Sequence, residues 1–212
     1  MTLRWKIAQV LEIWWWRRYL KGKEIVEYLA AKKAYWKRIL KMLQIEVPVQ
    51  VQILDAGCGP AGIFMILNEC RVDAVDPLVN NYEQNLVHFV KSDYPNVQFY
   101  HQSLENLTIQ KKYDLVFCMN AINHVSDLHL CLNKLIAATV PDGQLILAVD
   151  VHKYSFLKRI FRLFPGDVLH PQQHDLQDYR KMLEARDCKI VKTVVLKSAR
   201  IFNYVGIITK RM

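Results

Sequence analysis

The chain has 212 residues, 52% hydrophobic and 23% charged, a balance that excludes long disorder and suits one domain, with or without an appendage. No apolar run reaches the roughly 18 residues of a membrane span; Leu115 to Ser126, among the longest, is shorter and contains Asn and His. Five cysteines, odd in number and without CxxC spacing, argue against a disulfide framework or zinc knuckle and for reduced thiols in a cytoplasmic setting.

The first residues carry Trp, Arg and Glu within their apolar stretch and show no small-residue cleavage site, so they do not read as a secretory signal. The formal charge of +9 is uneven: residues 1–47 hold eleven Lys or Arg against four Glu, a surplus of seven. The basic charge therefore belongs to this segment, and the remainder is close to neutral.

In chain order, Leu3, Ile7, Val10, Leu11 and Trp14 recur at helical spacing; Gly22 interrupts them, and Ile25, Tyr28, Leu29, Trp36, Ile39, Leu40 and Leu43 resume the pattern. Pro48 closes a two-helix extension over 1–47, and the body runs from 48 to 212. There the spacing predicts strand Val49 to Asp55, helix Gly62 to Cys70, strand Arg71 to Asp76, helix Val79 to Asp93 and strand Val97 to His101. Strand Tyr113 to Met119, helix Leu128 to Ala138 and strand Gln144 to Val149 follow. Alternation of this kind builds a parallel sheet with crossover helices. After helix Leu176 to Ala185, the runs Ile190 to Leu196 and Ile201 to Thr209 are joined by only Lys197 to Arg200, which demands an antiparallel hairpin.

The segment Asp55-Ala56-Gly57-Cys58-Gly59-Pro60-Ala61-Gly62 places G-x-G-x-x-G between a strand and a predicted helix, the context of a nucleotide-binding turn. Asp76 ends the second strand nineteen residues past Gly57, where a carboxylate can accept ribose hydroxyls. These features alone suit NAD equally well. Asp55, two residues before the first glycine, adds a negative charge that would repel a diphosphate and attract an ammonium or sulfonium.

This segment resembles motif I of class I S-adenosylmethionine (SAM)-dependent methyltransferases. The similarity continues through Val75-Asp76-Pro77, Asp114-Leu115-Val116, Asn123-His124-Val125-Ser126-Asp127, Pro141-Asp142-Gly143-Gln144-Leu145 and the terminal hairpin. It covers residues 49 to 212 and is nearest the small-molecule branch sometimes called type 11. The implied fold is a doubly wound, mostly parallel seven-stranded sheet with an antiparallel C-terminal hairpin strand, plus the N-terminal helical extension. The implied cofactor is SAM, leaving as S-adenosylhomocysteine, with no metal.

Carried over, the resemblance implies that Asp55, Gly57, Cys58 and Gly59 line the methionine and ribose part. Asp76 would hold the ribose, and Pro77 or Leu78 would flank the adenine. The place of the family's acidic adenine contact reads Gln102-Ser103-Leu104, a departure that leaves Ser103 and Leu104 as the candidates. Asn120 and Ala121 would face the methionine tail or the acceptor. The chemistry is an in-line displacement, to which orientation alone can supply roughly 7 kcal/mol. A histidine could act as base toward a hydroxyl: His124 after the fourth strand first, then His152, beside Asp150, after the fifth. His170 and His174 lie in an insertion at about 152–175 whose position suggests a lid.

The acceptor implied is a small molecule, aromatic or lipophilic. A nucleic-acid (RNA) methyltransferase is the alternative that basic charge favours, although Asn120-Ala121-Ile122-Asn123 lacks the Asn/Asp-Pro-Pro-aromatic run of base-amino methyltransferases. A non-catalytic SAM-binding protein is another. Trp14, Trp15 and Trp16 span more than half a helix circumference, so one buried face cannot take all three. The extension is then a lid over the site first, a peripheral membrane contact second, or an oligomer contact; oligomeric state stays open.

Overall fold

The computed structural model describes residues 3–108, 110–153 and 174–212, with side chains from residue 9 onward. Its strands are β1 (Gln52–Ala56), β2 (Arg71–Asp76), β3 (Val97–His101), β4 (Tyr113–Met119), β5 (Thr139–His152), β6 (Cys188–Ser198) and β7 (Phe202–Arg211). Its helices are α1 (Leu3–Leu20), α2 (Ile25–Leu43), α3 (Val79–Asn85), α4 (Leu128–Ala138) and α5 (Leu176–Glu184). The strands form one sheet in the order β3-β2-β1-β4-β5-β7-β6. β1 to β5 pair in parallel, while β7 runs antiparallel to both β5 and β6. This is the doubly wound sheet with a terminal hairpin expected from the sequence. Its switch point lies between β1 and β4, where such sheets bind ligands beyond the strand carboxyl ends.

Two crossovers depart from expectation. Residues 62–70 make no α-helix; they hold one 3-10 turn, Ile63–Ile66, preceded by another at Gly59–Ala61. The carbonyls that a continuing helix would engage are taken by side chains. The Trp36 indole N–H donates to Ala61 O at 2.8 Å, and Asn96 Nδ2 donates to Leu67 O and Cys70 O at 2.9 and 3.0 Å. The predicted helix Val79 to Asp93 stops at Asn85, because Leu86 turns extended and buries with Phe89 among Phe64, Tyr82, Tyr94 and Phe99. Beyond it only Lys91–Asp93 is helical, as a 3-10 turn. β5 is longer than predicted, starting at Thr139 with a register shift opposite Tyr113 and Leu115.

These short crossovers leave one sheet face thinly covered, and α2 fills it. Tyr28, Trp36, Ile39 and Leu43 form its buried stripe, in the same core as Ile53, Phe117, Ile146, Ala148 and Ile208. α2 is thus part of the main core and not an appendage to it. The opposite face is covered by α4 and α5, with Leu132, Leu135, Tyr179 and Leu183 fully buried. Leu43 packs so closely on β7 that a Cβ at Gly206 would lie 2.4 Å from its Cδ2. Leu43→Ala should cost about 2–5 kcal/mol of unfolding free energy, measured by urea denaturation; a loss below about 1 kcal/mol would mean α2 is merely draped on the domain.

Candidate active site

The carboxyl ends of β1, β2 and β4 meet at the switch point. Gly57 N–H and Cys58 N–H both donate to Val75 O, at 2.7 and 3.1 Å, which pins the β1 turn to β2. Gly57 has φ +74°, and a Cβ there would lie 2.2 Å from Cβ of Ala121, so the turns after β1 and β4 touch through this glycine. Gly59 also has a positive φ, +57°, but open space where its Cβ would be. Asn120, with φ +57°, adopts the same left-handed conformation and its N–H donates to Ala148 O. The glycines take this conformation freely, whereas Asn120 takes it at some cost, at the sheet end where ligands bind.

Asp76 is 7% exposed and clamps the turn: Oδ2 accepts from Gly59 N–H at 2.9 Å and Oδ1 from Leu78 N–H at 2.8 Å. Its carboxyl is pushed up to about 7, chiefly by burial and further by the nearby Glu12, against the pull of the two backbone N–H groups. Asp55, 1% exposed, accepts from Phe64 N–H at 3.1 Å. Burial pushes it to about 7 as well, with the Phe64 and Ile63 N–H groups opposing. Its carboxylate is therefore committed to the loop behind the glycines, and it bears on the sheet end through that loop and through its charge. The Cys58 thiol, buried beside both carboxylates, is pushed well up and stays neutral.

Of the remaining sequence candidates, Pro77 is half-buried beside Asp76 and Ser103 is buried just beyond β3. The Gln102 N–H, one residue earlier, donates to Asp76 O at 3.3 Å, tying that loop to β2. Leu104 instead belongs to the core under α4. His124 is exposed at the end of the 3-10 turn Ile122–His124. His152 is buried, its ring 4.7 Å from that of Phe202 and its backbone N–H donating to the backbone O of His174 at 3.2 Å. His170 and most of the expected insertion, residues 154–173, lie outside the described residues.

α1 adds groups that the sequence did not single out. Glu12 accepts from the Tyr82 hydroxyl at 2.6 Å and from Trp16, and burial raises its carboxyl above the ordinary range. Trp16 packs edge-on to Tyr82, with ring centroids 6.5 Å apart. Trp14 and Trp15 stay 58% and 48% exposed. A lone Glu four residues before Trp16 in a Trp-rich helix was the available signal. Asn123, on the turn after β4, has a buried Oδ1 without a hydrogen-bond partner among the described residues.

The family model described as "Methyltransferase domain" matches residues 49–187. The chain belongs to the methyltransferase domain family. The ubiquinone biosynthesis O-methyltransferase of Rickettsia typhi is 29% identical to this methyltransferase domain protein over 163 residues, 75% of this chain and 61% of that protein, so the chain spans under two thirds of this relative's length. In fold it is similar to magnesium protoporphyrin IX methyltransferase from Synechocystis PCC 6803, solved with bound S-adenosylhomocysteine (TM-score 0.61, 21% identity, 93% of this chain and 92% of that one). It is also similar to the 1,6-didemethyltoxoflavin-N1-methyltransferase of Burkholderia thailandensis (TM-score 0.61, 17% identity, 100% and 92%).

The two glycines of the methyltransferase turn should respond differently to substitution. Gly57→Ala combines left-handed strain with collision against Ala121 and should destabilise the ligand-free protein by more than about 3 kcal/mol, whereas Gly59→Ala should cost only about 1–2 kcal/mol. Equal losses in guanidinium melts would refute the close approach of the two loops.

Proposed function

We propose that this chain transfers the methyl group of SAM to a small-molecule acceptor, with α1 closing over the cofactor hollow. The observation that carries this reading is the gathering of Asp55, Asp76 and Glu12, all driven upward in pKa by burial, at the carboxyl end of the sheet. Such a hollow repels a diphosphate and favours a ligand bearing ammonium and sulfonium charges. Its residues fit SAM: the Gly57 to Gly59 turn for the methionine part, Asp76 for the ribose, Pro77 and Ser103 around the adenine, and Asn120 and Ala121 beside the tail. Bound SAM supplies an activated methyl on a sulfonium, so the protein's task is chiefly to align the acceptor and exclude water.

Asp55 and Asp76 ionise in the folded chain near pH 7, against about 3.8 ordinarily. Because their folded pKa values are raised, their contribution to stability is whole below about pH 4 and is lost as pH rises through about 7. A cationic ligand prefers the ionised pair, so SAM affinity should climb from about pH 5.5 to 7.5, by up to about tenfold per unit for each proton released. Calorimetry in buffers of different ionisation enthalpy reads that release directly, and Asp76→Asn should weaken binding and flatten the profile. NAD binding more tightly than SAM would overturn the assignment.

His124 and His152 are the proposed bases toward a hydroxyl acceptor, and a positioned base is worth about 100- to 10,000-fold. In a panel of acceptors read as S-adenosylhomocysteine release, alanine at the true base should lower kcat on that scale. A variant with unchanged turnover removes its residue from the mechanism.

A further inference from the structure

The stripe of α2 that faces the domain runs Tyr28, Lys32, Trp36, Ile39, Leu43, and four of these five bury as its spacing requires. Lys32 is the exception: a cation standing where an apolar side chain belongs, one turn before Trp36. Its ammonium lies 5.7–5.9 Å from the ring centroids of Trp16, Tyr19, Tyr28 and Tyr35. Among the described residues it makes no ion pair. Burial holds its pKa below the ordinary lysine value. Next to it, Tyr28 is 7% exposed, and its hydroxyl has no hydrogen-bond partner among the described residues. Lys32 is partly buried, its charge met among the described residues by ring faces and by no carboxylate, so its ammonium can still take an anionic acceptor.

Lys32 lines a groove of about 650 Å³ between α1 and α2, with Tyr19, Tyr28 and Tyr35 on its walls and Lys23 at its edge, a volume suited to a small-molecule ligand. Glu24 and Glu27 also line it, but both are exposed, and the Glu24 carboxylate is engaged in capping α2 by accepting from Glu27 N–H at 2.9 Å. Two chains of side-chain contacts lead from the groove's neighbourhood to the proposed catalytic end. Trp16 leads through Tyr82 to Glu12 and Asp76. Tyr35 reaches Tyr204, the cross-strand partner of Asp150 at the end of β5.

We propose that this groove anchors the methyl acceptor, and that the acceptor is a planar, largely apolar molecule bearing an oxyanion, a carboxylate or its like, received by Lys32 between the aromatic walls. The proposal rests on the methyltransferase reading for the word acceptor, but its binding chemistry is tested without turnover. The probes are 8-anilino-1-naphthalenesulfonate and its uncharged counterpart N-phenyl-1-naphthylamine, titrated by fluorescence into the full chain saturated with S-adenosylhomocysteine.

The sulfonate should bind saturably. Lys32→Met should weaken it by at least about tenfold, Lys32→Arg should retain most of the affinity, and the neutral dye should change little throughout. Should Lys32→Met fail to fold by circular dichroism, Lys32→Gln decides: it keeps a polar side chain without the charge and should weaken the sulfonate alone by about threefold or more. Equal effects on both dyes, no effect on either, or no saturable sulfonate binding to the S-adenosylhomocysteine-saturated chain would overturn the proposal. Calorimetry with SAM reports separately on the wild-type cofactor site. Absence of SAM binding with the dye preference intact would refute the methyltransferase reading and leave the groove as an anion-selective aromatic site.

Discussion

Three carboxylates held out of water at one end of a sheet set the terms for the rest of this structure. Asp76 is kept in place by two backbone N–H groups, Asp55 by the loop behind the glycines, and Glu12 by Tyr82 and Trp16. Each bond lowers the energy of the charged form, yet in all three burial prevails and the pKa rises. The ligand-free chain near neutral pH therefore stores electrostatic cost where α1, β1 and β2 converge. A site in that condition gains most from a ligand that brings positive charge, which is why the electrostatics and the family membership point the same way.

The same end of the sheet explains why the first crossover is not a helix. Trp36 takes the Ala61 carbonyl and Asn96 takes those of Leu67 and Cys70, while Asp55 takes the Phe64 N–H. A chain whose backbone groups are satisfied by side chains from elsewhere has no need of its own ladder. The sheet face left bare by the short loop is then covered by α2, whose apolar stripe does the work that a crossover helix does in longer versions of a doubly wound sheet.

Strand order and strand type were legible in the sequence because buried parallel strands are nearly continuous apolar runs and the hairpin connection is too short to cross over. The glycine turn and Asp76 were legible for the same reason: local chemistry fixes them. What was not legible depends on partners distant in sequence. The apolar run Ile63 to Leu67 looks helical until Trp36 and Asn96 compete for its carbonyls. Leu104 stands where an adenine contact was expected but is drawn into the core under α4. The end of α3 is decided by Phe89 joining the aromatic cluster and by His88 reaching Lys23 O at 3.0 Å.

The N-terminal helices illustrate the point most sharply. Counting angles around α1 shows that Trp14, Trp15 and Trp16 cannot share one buried face, and the structure divides them, Trp16 toward Tyr82 and the other two outward. Counting charge assigns the basic surplus to this segment but treats all its lysines alike. Spacing already puts Lys32 on the stripe between Tyr28 and Trp36, but only the packing separates it from the solvated lysines around it, because only packing gathers four aromatic rings about its ammonium. A charge on the wet face of a helix is worth a few tenths of a kcal/mol. The same charge set among ring faces, with no carboxylate beside it among the described residues, loses part of its hydration and keeps its capacity for an anion, which is the chemistry on which the proposed acceptor site rests.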